Sequence, residues 1–569
     1  MAVSLLMILT LAVTLIFSSF LHLLGMPVSP ISCVFAVVIS VNLFLYIEKE
    51  RDTKENLRTV LLAFIIVGIS VFVSYRIFDL SYDGNWYHKA SLGSLASGWN
   101  PIYETFESFA ANPDGVRIGN LEESAIWANH YCKGAWIIGA NIYALTGNIE
   151  CAKAVNLIMA FVTFSIALDF LIKRLHTVYA VLLALLTALN PITVSQMFTF
   201  YNDGLLCSLL FTIIVLLLKL RLSDGEKKRN AVCLFSALVI CCNIKFTGLA
   251  YAAVFCFVFY ILGLADGIKN KVFRKTFTEM TSFYALTIFA SVIFVGSSSY
   301  VKNFIEHKNP LYPLVGKDSV DIMTMNQPRV FDGLSTAKKL FYSLFSRVDN
   351  LMGDGAVITK APFDVNPYEV RISASAPDLR ISGFGPFFGG ILIVSTMILL
   401  FAFVYFVLKN RRVLLLGLCV VIPTVVLLLT ISESWWARYS PHLYLLPLTA
   451  LYFLIYLFGK SERFAKPTIA VCAVGMSLLL MINCSFFAIY VGKCALKSET
   501  IRDRLVYARV VSEKTPIEVA FATYAYYGIE FNLKDSKINY KVVASLPEKA
   551  LELYAEKACM YLPESEVDR

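Results

Sequence analysis

Charge is scarce in this 569-residue chain. Only 16% of residues are Asp, Glu, Lys or Arg, where soluble domains carry about a quarter. That excludes a water-soluble globule for most of its length. No stretch alternates apolar and polar residues with period 2, which excludes an outer-membrane barrel. No P-loop, GxSxG, HExxH or Rossmann fingerprint stands in a fitting context, so ATPase and soluble-hydrolase chemistry have no signature here. The thirteen Cys are scattered, many inside apolar runs. They read as small buried apolar residues, not as a disulfide frame or zinc site.

What is present is apolar. Hydrophobic types make up 57% of the chain, and long apolar blocks recur nearly to residue 490. The class is therefore a polytopic α-helical membrane protein. Leu5 to Leu24 is too long for a signal-peptide core and lacks a small-residue cleavage site, so it reads as a retained first span. The net charge of +9 does not point to nucleic acid, because Lys and Arg gather in short loops between apolar blocks. Those loops are 48–58, 172–176, 219–230, 266–275, 409–412 and 459–466. The positive-inside rule puts all six in the cytoplasm.

With those loops inside, the apolar blocks pair up. Spans are predicted near 3–24, 30–47, 59–78, 150–171, 177–190, 205–218, 231–243, 249–265, 280–297, 387–408, 413–431, 441–458 and 467–490. Gly134–Gly147 is also apolar and is assigned as an external or re-entrant helix, since a crossing there would put Lys173 and Arg174 outside. The first external loop is then 79–134 and the largest is 298–385. Residues 1–490 form the membrane domain and 491–569 an external tail of a different, charged composition. In the tail "IEVAFAT" and "INYKVVA" read as strands and "PEKALELYAEKA" as an amphipathic helix.

Loop assignment used basic runs alone, yet it places Asp83, His88, Asp203, Lys245, His307 and Arg438 on one side. Ionisable groups at a membrane are costly and are functional candidates by default. Four external motifs hold the candidates. In "YDGNWYH", Asp83 and Tyr87 share a helical face while His88 points elsewhere. An N-cap at Asp83, with Trp86 and Trp99 as an aromatic belt, accounts for the same residues. In "NHYCKGAW", His130 and Lys133 can meet a phosphate or carboxylate, or Lys133 can snorkel to headgroups. In "FTFYNDGLL", Asp203 sits in a strong turn signal and is a base, an orienting group or a helix cap. "YVKNFIEHKNPLYPL" carries His307, and "ESWWARYSPHLYLLP" carries Arg438, whose guanidinium suits a lipid phosphate or an interfacial anchor.

The ordered set "YDGNWYH", "GWNP", "HYCKG", "YNDG", "KNPLYPL" and "WWARY" resembles the membrane-embedded GT-C superfold glycosyltransferases that use polyprenyl-phosphate sugars. It is similar to the bacterial protein mannosyltransferase and aminoarabinose transferase group. The resemblance covers most of 1–490 and implies a GT-C-like bundle of about 13 spans with a small α/β extracytoplasmic tail. It implies a cell-membrane enzyme, in a bacterial inner or plasma membrane, with its active site outside. The donor would be a polyprenyl-phosphate-linked sugar and the acceptor a lipid, glycan or protein hydroxyl. Asp83 matches the first-loop catalytic Asp, the general base of an inverting attack. Asp203 would orient the acceptor or assist a metal. Lys133, Lys245, His307 and Arg438 would face the leaving phosphate, with Tyr87, His88 and His130 lining the substrate site. Some members need a divalent ion and others do not. Gly84 and Asn85 follow Asp83 where a DxD would stand, and Cys132 stands where Pro is expected. No residue is assigned as a metal ligand.

Three other readings compete. An O-antigen-type polymerase or ligase relies on Arg and His in large external loops and lacks an Asp-bearing first loop. A secondary transporter shows repeats and charges near the midplane, whereas here the charges are at span ends. A membrane scaffold would be indifferent to Asp83→Asn.

Overall fold

Every block predicted to span forms a helix in the computed structural model, which describes residues 1–110, 121–222, 226–460, 466–546 and 550–561. Among the described residues, eleven helices are long and apolar enough to cross a membrane. They run from Ala2–Leu23 through Pro30–Ile47 and Thr53–Arg76 to Lys466–Ser512. Two predicted spans fall outside that set. Thr177–Ala188 has only 12 residues, and Lys227–Ile244 opens on Lys227, Lys228 and Arg229. The architecture is a multi-pass helical bundle with a small C-terminal sheet.

Burial sorts the helices. Asp203–Arg221 is central, with 83% of its apolar window buried, while Thr53–Arg76 and Phe388–Lys409 have only 22%. The outer helices expose Leu61, Phe64, Ile65, Phe72, Leu400 and Phe401. Water would penalise such a patch, whereas lipid accepts it and requires only that backbone groups pair internally. Between central helices, polar groups satisfy one another: the Thr163 and Thr212 hydroxyls lie 3.0 Å apart, and Asn243 Nδ2 donates to the Ser291 carbonyl at 2.9 Å.

The predicted basic loops are tied to one another across one end of the bundle. Arg229 pairs with Glu48, Lys219 with Asp169 and Arg221 with Asp266. Residues 223–225 and 461–465 of those loops lie outside the described residues. Gly134–Thr146 is a helix, and its Asn141 Nδ2 donates to Ser18 Oγ on the first helix at 2.9 Å.

Two details differ from the sequence reading. Composition changes at residue 491, but the element does not: the helix Lys466–Ser512 runs unbroken for 47 residues. At about 1.5 Å per residue it is about 70 Å long, more than twice a bilayer core. The helix predicted at 547–558 is instead a hairpin, as far as it lies within the described residues. Strands Leu551–Tyr554 and Ala558–Tyr561 pair antiparallel, and Ala555 and Glu556 turn the chain at positive φ. A short amphipathic run fits either period, and pairing with Ile517–Phe521 decides for the strand. The predicted strands are present at Ile517–Phe521 and Tyr540–Val542, which pair in parallel, and the sheet order places Ile517–Phe521 between Tyr540–Val542 and Ala558–Tyr561.

The tail sheet comes with a helix, Tyr526–Asp535, that packs on the first predicted external loop. A Cβ on Gly528 would sit 2.1 Å from the Asn85 carbonyl oxygen, so only glycine allows that approach.

Candidate active site

The chain turns sharply after the helix Thr53–Arg76, and Asp79 fixes the turn. Its carboxylate accepts from the Ser81 amide at 2.7 Å and from the Phe200 amide at 2.8 Å. The second bond brings the "FTFYNDG" segment against the "YDGNWYH" segment. Gly84 then starts a π-helical turn, Gly84–His88, with Asp83 just before it. Such turns often mark functional sites. A Cβ on Gly84 would lie 2.0 Å from the Asp79 carboxylate, so the turn depends on glycine. The wider π turn also changes the expected faces. His88 does not point away: its ring lies 4.2 Å from that of Tyr87.

Four predicted residues meet at one point. Arg438 donates through Nε to Asp203 at 2.9 Å and through Nη1 to Asp83 at 3.0 Å. Lys245 donates to the other oxygen of Asp203 at 2.7 Å. Gln196 holds the same carboxylate at 3.2 Å and accepts from the Gly204 amide at 2.7 Å, which fixes the amide's orientation. Asp203 opens the helix Asp203–Arg221, so its negative charge also faces a helix N-terminus. Aromatic rings wall the cations: Arg438 lies over Tyr201 at 4.6 Å, and Lys245 lies over Tyr439 at 4.1 Å.

A third carboxylate belongs to the cluster and was not predicted. Asp378 accepts from Arg438 Nη1 at 3.2 Å and from the Tyr201 hydroxyl at 3.1 Å. It comes from "SAPDLR" in the 298–385 segment, with no turn or span boundary to single it out. Its carbonyl also accepts from the Trp436 indole at 2.9 Å, two residues before Arg438.

The electrostatics follow from three carboxylates around one guanidinium and one ammonium. Burial works to lower the Arg438 pKa, but Asp203 and Asp83 raise it well above the ordinary value, so the guanidinium stays charged. Asp378 goes the other way. Burial raises its pKa despite Arg438, and the neighbouring Asp83 adds to the rise. A proton is therefore favoured on Asp378 more than on an isolated aspartate. The side chains are not sealed: Asp83 is 18% exposed, Asp378 13% and Arg438 8%. Among the described residues, Arg438 Nη2 donates to nothing. The arrangement can accept a proton and donate to an anion at adjacent atoms.

The other predicted residues make no hydrogen bond to these groups among the described residues. Tyr87 is buried among Trp86, Trp127, Tyr131 and Trp136. His88 Nδ1 accepts from the Trp136 indole at 2.8 Å, and burial lowers its pKa to about 3, which leaves it neutral. Lys133 donates to the carbonyls of Asn129, Tyr131 and Ser298 at 2.8, 3.0 and 3.0 Å. Those three bonds use all the donors an ammonium has. Burial, then Lys302, lowers its pKa to about 7. His130 and His307 lie together, 4.9 Å between ring centroids, and His130 bonds Asn303 rather than the carboxylate cluster. Trp99 is fully buried against Phe106, not an interface anchor. Trp86 is half-buried and donates to Ser124 at 2.8 Å.

Metal-binding capacity is confined to one place among the described residues. The ligand atoms of His130, Glu306 and His307 lie within 4.8 Å of one another. Between the three aspartates, the position a cation would take is filled by the Arg438 guanidinium. No protein-family model matches the chain, and no curated protein matches it.

Proposed function

We propose that the chain is a glycosyltransferase of the GT-C type. It moves a sugar from a polyprenyl-phosphate donor to an acceptor hydroxyl at the outer face of the membrane. Asp83 takes the hydroxyl proton. The acceptor oxygen forms its bond to the anomeric carbon, the bond from that carbon to the phosphate oxygen breaks, and the electron pair leaves with the lipid phosphate. Attack opposite the leaving group inverts the configuration. Arg438 meets the phosphate as its charge grows, which lowers the barrier most where water is scarce. Lys245 and Gln196 hold Asp203 and keep the guanidinium oriented.

The observation that carries this reading is the Arg438 side chain, which holds Asp83 at 3.0 Å through Nη1 while Nη2 remains free among the described residues. Base and anion donor then sit on one rigid group. An apolar groove of about 380 Å³ supports a lipid-linked donor. It runs between the helices Phe246–Lys269 and Phe273–Ile288, with Leu249, Cys256, Tyr284 and Ile288 in its walls. Leu249, in its wall, lies in the first turn of the helix that Lys245 precedes.

The test is mass spectrometry of envelope glycans and lipids from cells with wild type, a deletion and Asp83→Asn. The expected result is that the deletion and Asp83→Asn lose the same glycan. Full rescue of the deletion by Asp83→Asn would sink the assignment of the base. For sidedness, a cysteine placed at Ser94 should be labelled from outside only after local opening, since Ser94 is buried. A cysteine at the exposed Lys271 should be labelled only from the cytoplasm. Labelling of Lys271→Cys in intact cells would reverse the topology.

A further inference from the structure

We propose that His130, Glu306 and His307 bind one divalent transition-metal ion, with zinc the best fit to the donor set. The site is separate from the three-aspartate cluster and does not depend on the transferase reading.

Two segments far apart in sequence supply the ligands. His130 ends the helix Leu121–His130, and Glu306 and His307 end the helix Tyr300–His307. Their ligand atoms lie within 4.8 Å of one another. A tetrahedral zinc site with bonds of about 2.0 Å has ligand atoms about 3.3 Å apart. The exposed Glu306 carboxylate makes no salt bridge among the described residues and can close that gap by side-chain rotation.

The His130 ring is held as a ligand would be. Asn303, fully buried, donates its amide hydrogens to the carbonyls of His130 at 3.0 Å and Tyr312 at 2.8 Å. Those two bonds fix which end of the amide is oxygen. Asn303 Oδ1 then faces His130 Nδ1 at 2.8 Å, so Nδ1 carries the proton and the Nε2 lone pair is free. A metal-binding histidine is usually fixed through its other ring N–H, here by an amide oxygen where a carboxylate, carbonyl or water is more common. His307 is fixed differently, stacked on Tyr312 at 3.6 Å. Its ring nitrogens have no hydrogen bond among the described residues.

The donor chemistry selects the ion. Two imidazole nitrogens and one carboxylate suit zinc, whereas calcium and magnesium prefer oxygen alone. Lys133 and Lys302 place positive charge near His130, and the Glu306 carboxylate lies close enough to both lysines to counter it. Three protein ligands leave a fourth position for water or an oxyanion. The ion would fasten the first predicted external loop to the start of the 298–385 loop.

The test uses the full chain in detergent, stripped with chelator, with its thiols alkylated to remove binding by cysteine. It is then loaded with zinc, and metal is counted per chain by mass spectrometry. Wild type should hold one zinc, and His130→Ala and His307→Ala should hold none. Asn303→Ala should bind about 10- to 100-fold more weakly, as loss of an outer partner does. Cobalt loading of wild type should give the intense visible bands of a four-coordinate site, weakened in Glu306→Gln. Should His307→Ala fail to fold, the cobalt spectra of wild type and Glu306→Gln decide the matter. Wild type that holds no zinc above buffer, or His130→Ala that holds as much as wild type, overturns the proposal. Asp83→Asn should keep its zinc.

Discussion

Two clusters of buried charge lie on either side of the Asp79 turn, and they are built in opposite ways. In one, a single guanidinium serves three carboxylates. In the other, a single carboxylate serves two ammonium groups. Glu150 accepts from Lys89 at 2.8 Å and from Lys153, and it also accepts from Asn532 at 2.9 Å, Tyr554 at 3.3 Å and the Asp79 amide at 3.1 Å. Lys89 and Lys153 are 0% exposed and Glu150 is 1%. Lys89 meets four acceptors there and Lys153 two, and Asn532 and Tyr554 come from the C-terminal tail. The Glu150 cluster is therefore a fastener that ties tail, first loop and bundle together. The Arg438 cluster keeps a free donor and partly exposed carboxylates. The lesson is that burial and pairing alone do not mark a site; access to the charged groups does.

That contrast breaks most sharply in activity. Asp83→Asn should lower transfer by about 10²–10⁴-fold, the usual share of a general base. Its unfolding midpoint should stay near wild type. The decisive assay is transfer by the purified variant, with thermal unfolding measured on the same sample. Normal transfer with Asp83→Asn, and lost transfer with Asp378→Asn, would move the base to Asp378. In the other cluster the order reverses. Glu150→Gln strands two buried ammonium groups, and breaking a buried pair costs about 3–5 kcal/mol. The variant should lose stability in detergent and expose the tail to protease. A Glu150→Gln protein that melts like wild type would remove the distinction between fastener and site.

Arg438→Lys tests the geometry more finely. It keeps a positive charge among the aspartates but loses the planar fork that holds Asp83 and Asp203 together. Transfer should fall by about 10²–10³-fold, as for loss of one donor to a developing anion. Activity within threefold of wild type would show that charge alone suffices at Arg438.

How much of this was readable in advance differs between the clusters for a physical reason. Asp83, Asp203, Lys245 and Arg438 sit where apolar runs end, and a one-dimensional charge rule finds such positions. Asp378 sits inside a long irregular segment, and only its approach to Tyr201 and Trp436 gives it meaning. The Glu150 cluster was not readable at all. Lys89 and Glu150 are 61 residues apart, and the partners that seal them lie beyond residue 530. The helices were legible because lipid imposes length and apolarity on each one separately. The tail hairpin was not, because its strands are fixed by pairing with Ile517–Phe521 rather than by their own pattern.

The smallest effect concerns how the tail rests on the bundle. Asp535 accepts from the Tyr143 hydroxyl at 2.6 Å and from the Ile149 amide at 2.7 Å, beside the Glu150 cluster. Burial outweighs both bonds and raises its pKa to about 6. The unfolded carboxyl titrates near 3.9, so between about 4 and 6 the folded state holds more protons than the unfolded one. Stability from this group is then present below about pH 4 and is lost as pH rises through about 6. Asp535→Asn should remove that slope and leave the tail more firmly docked at pH 8. Protease release of the tail from about pH 4 to 8 measures it. Equal pH slopes in wild type and Asp535→Asn would assign the pH response to another group.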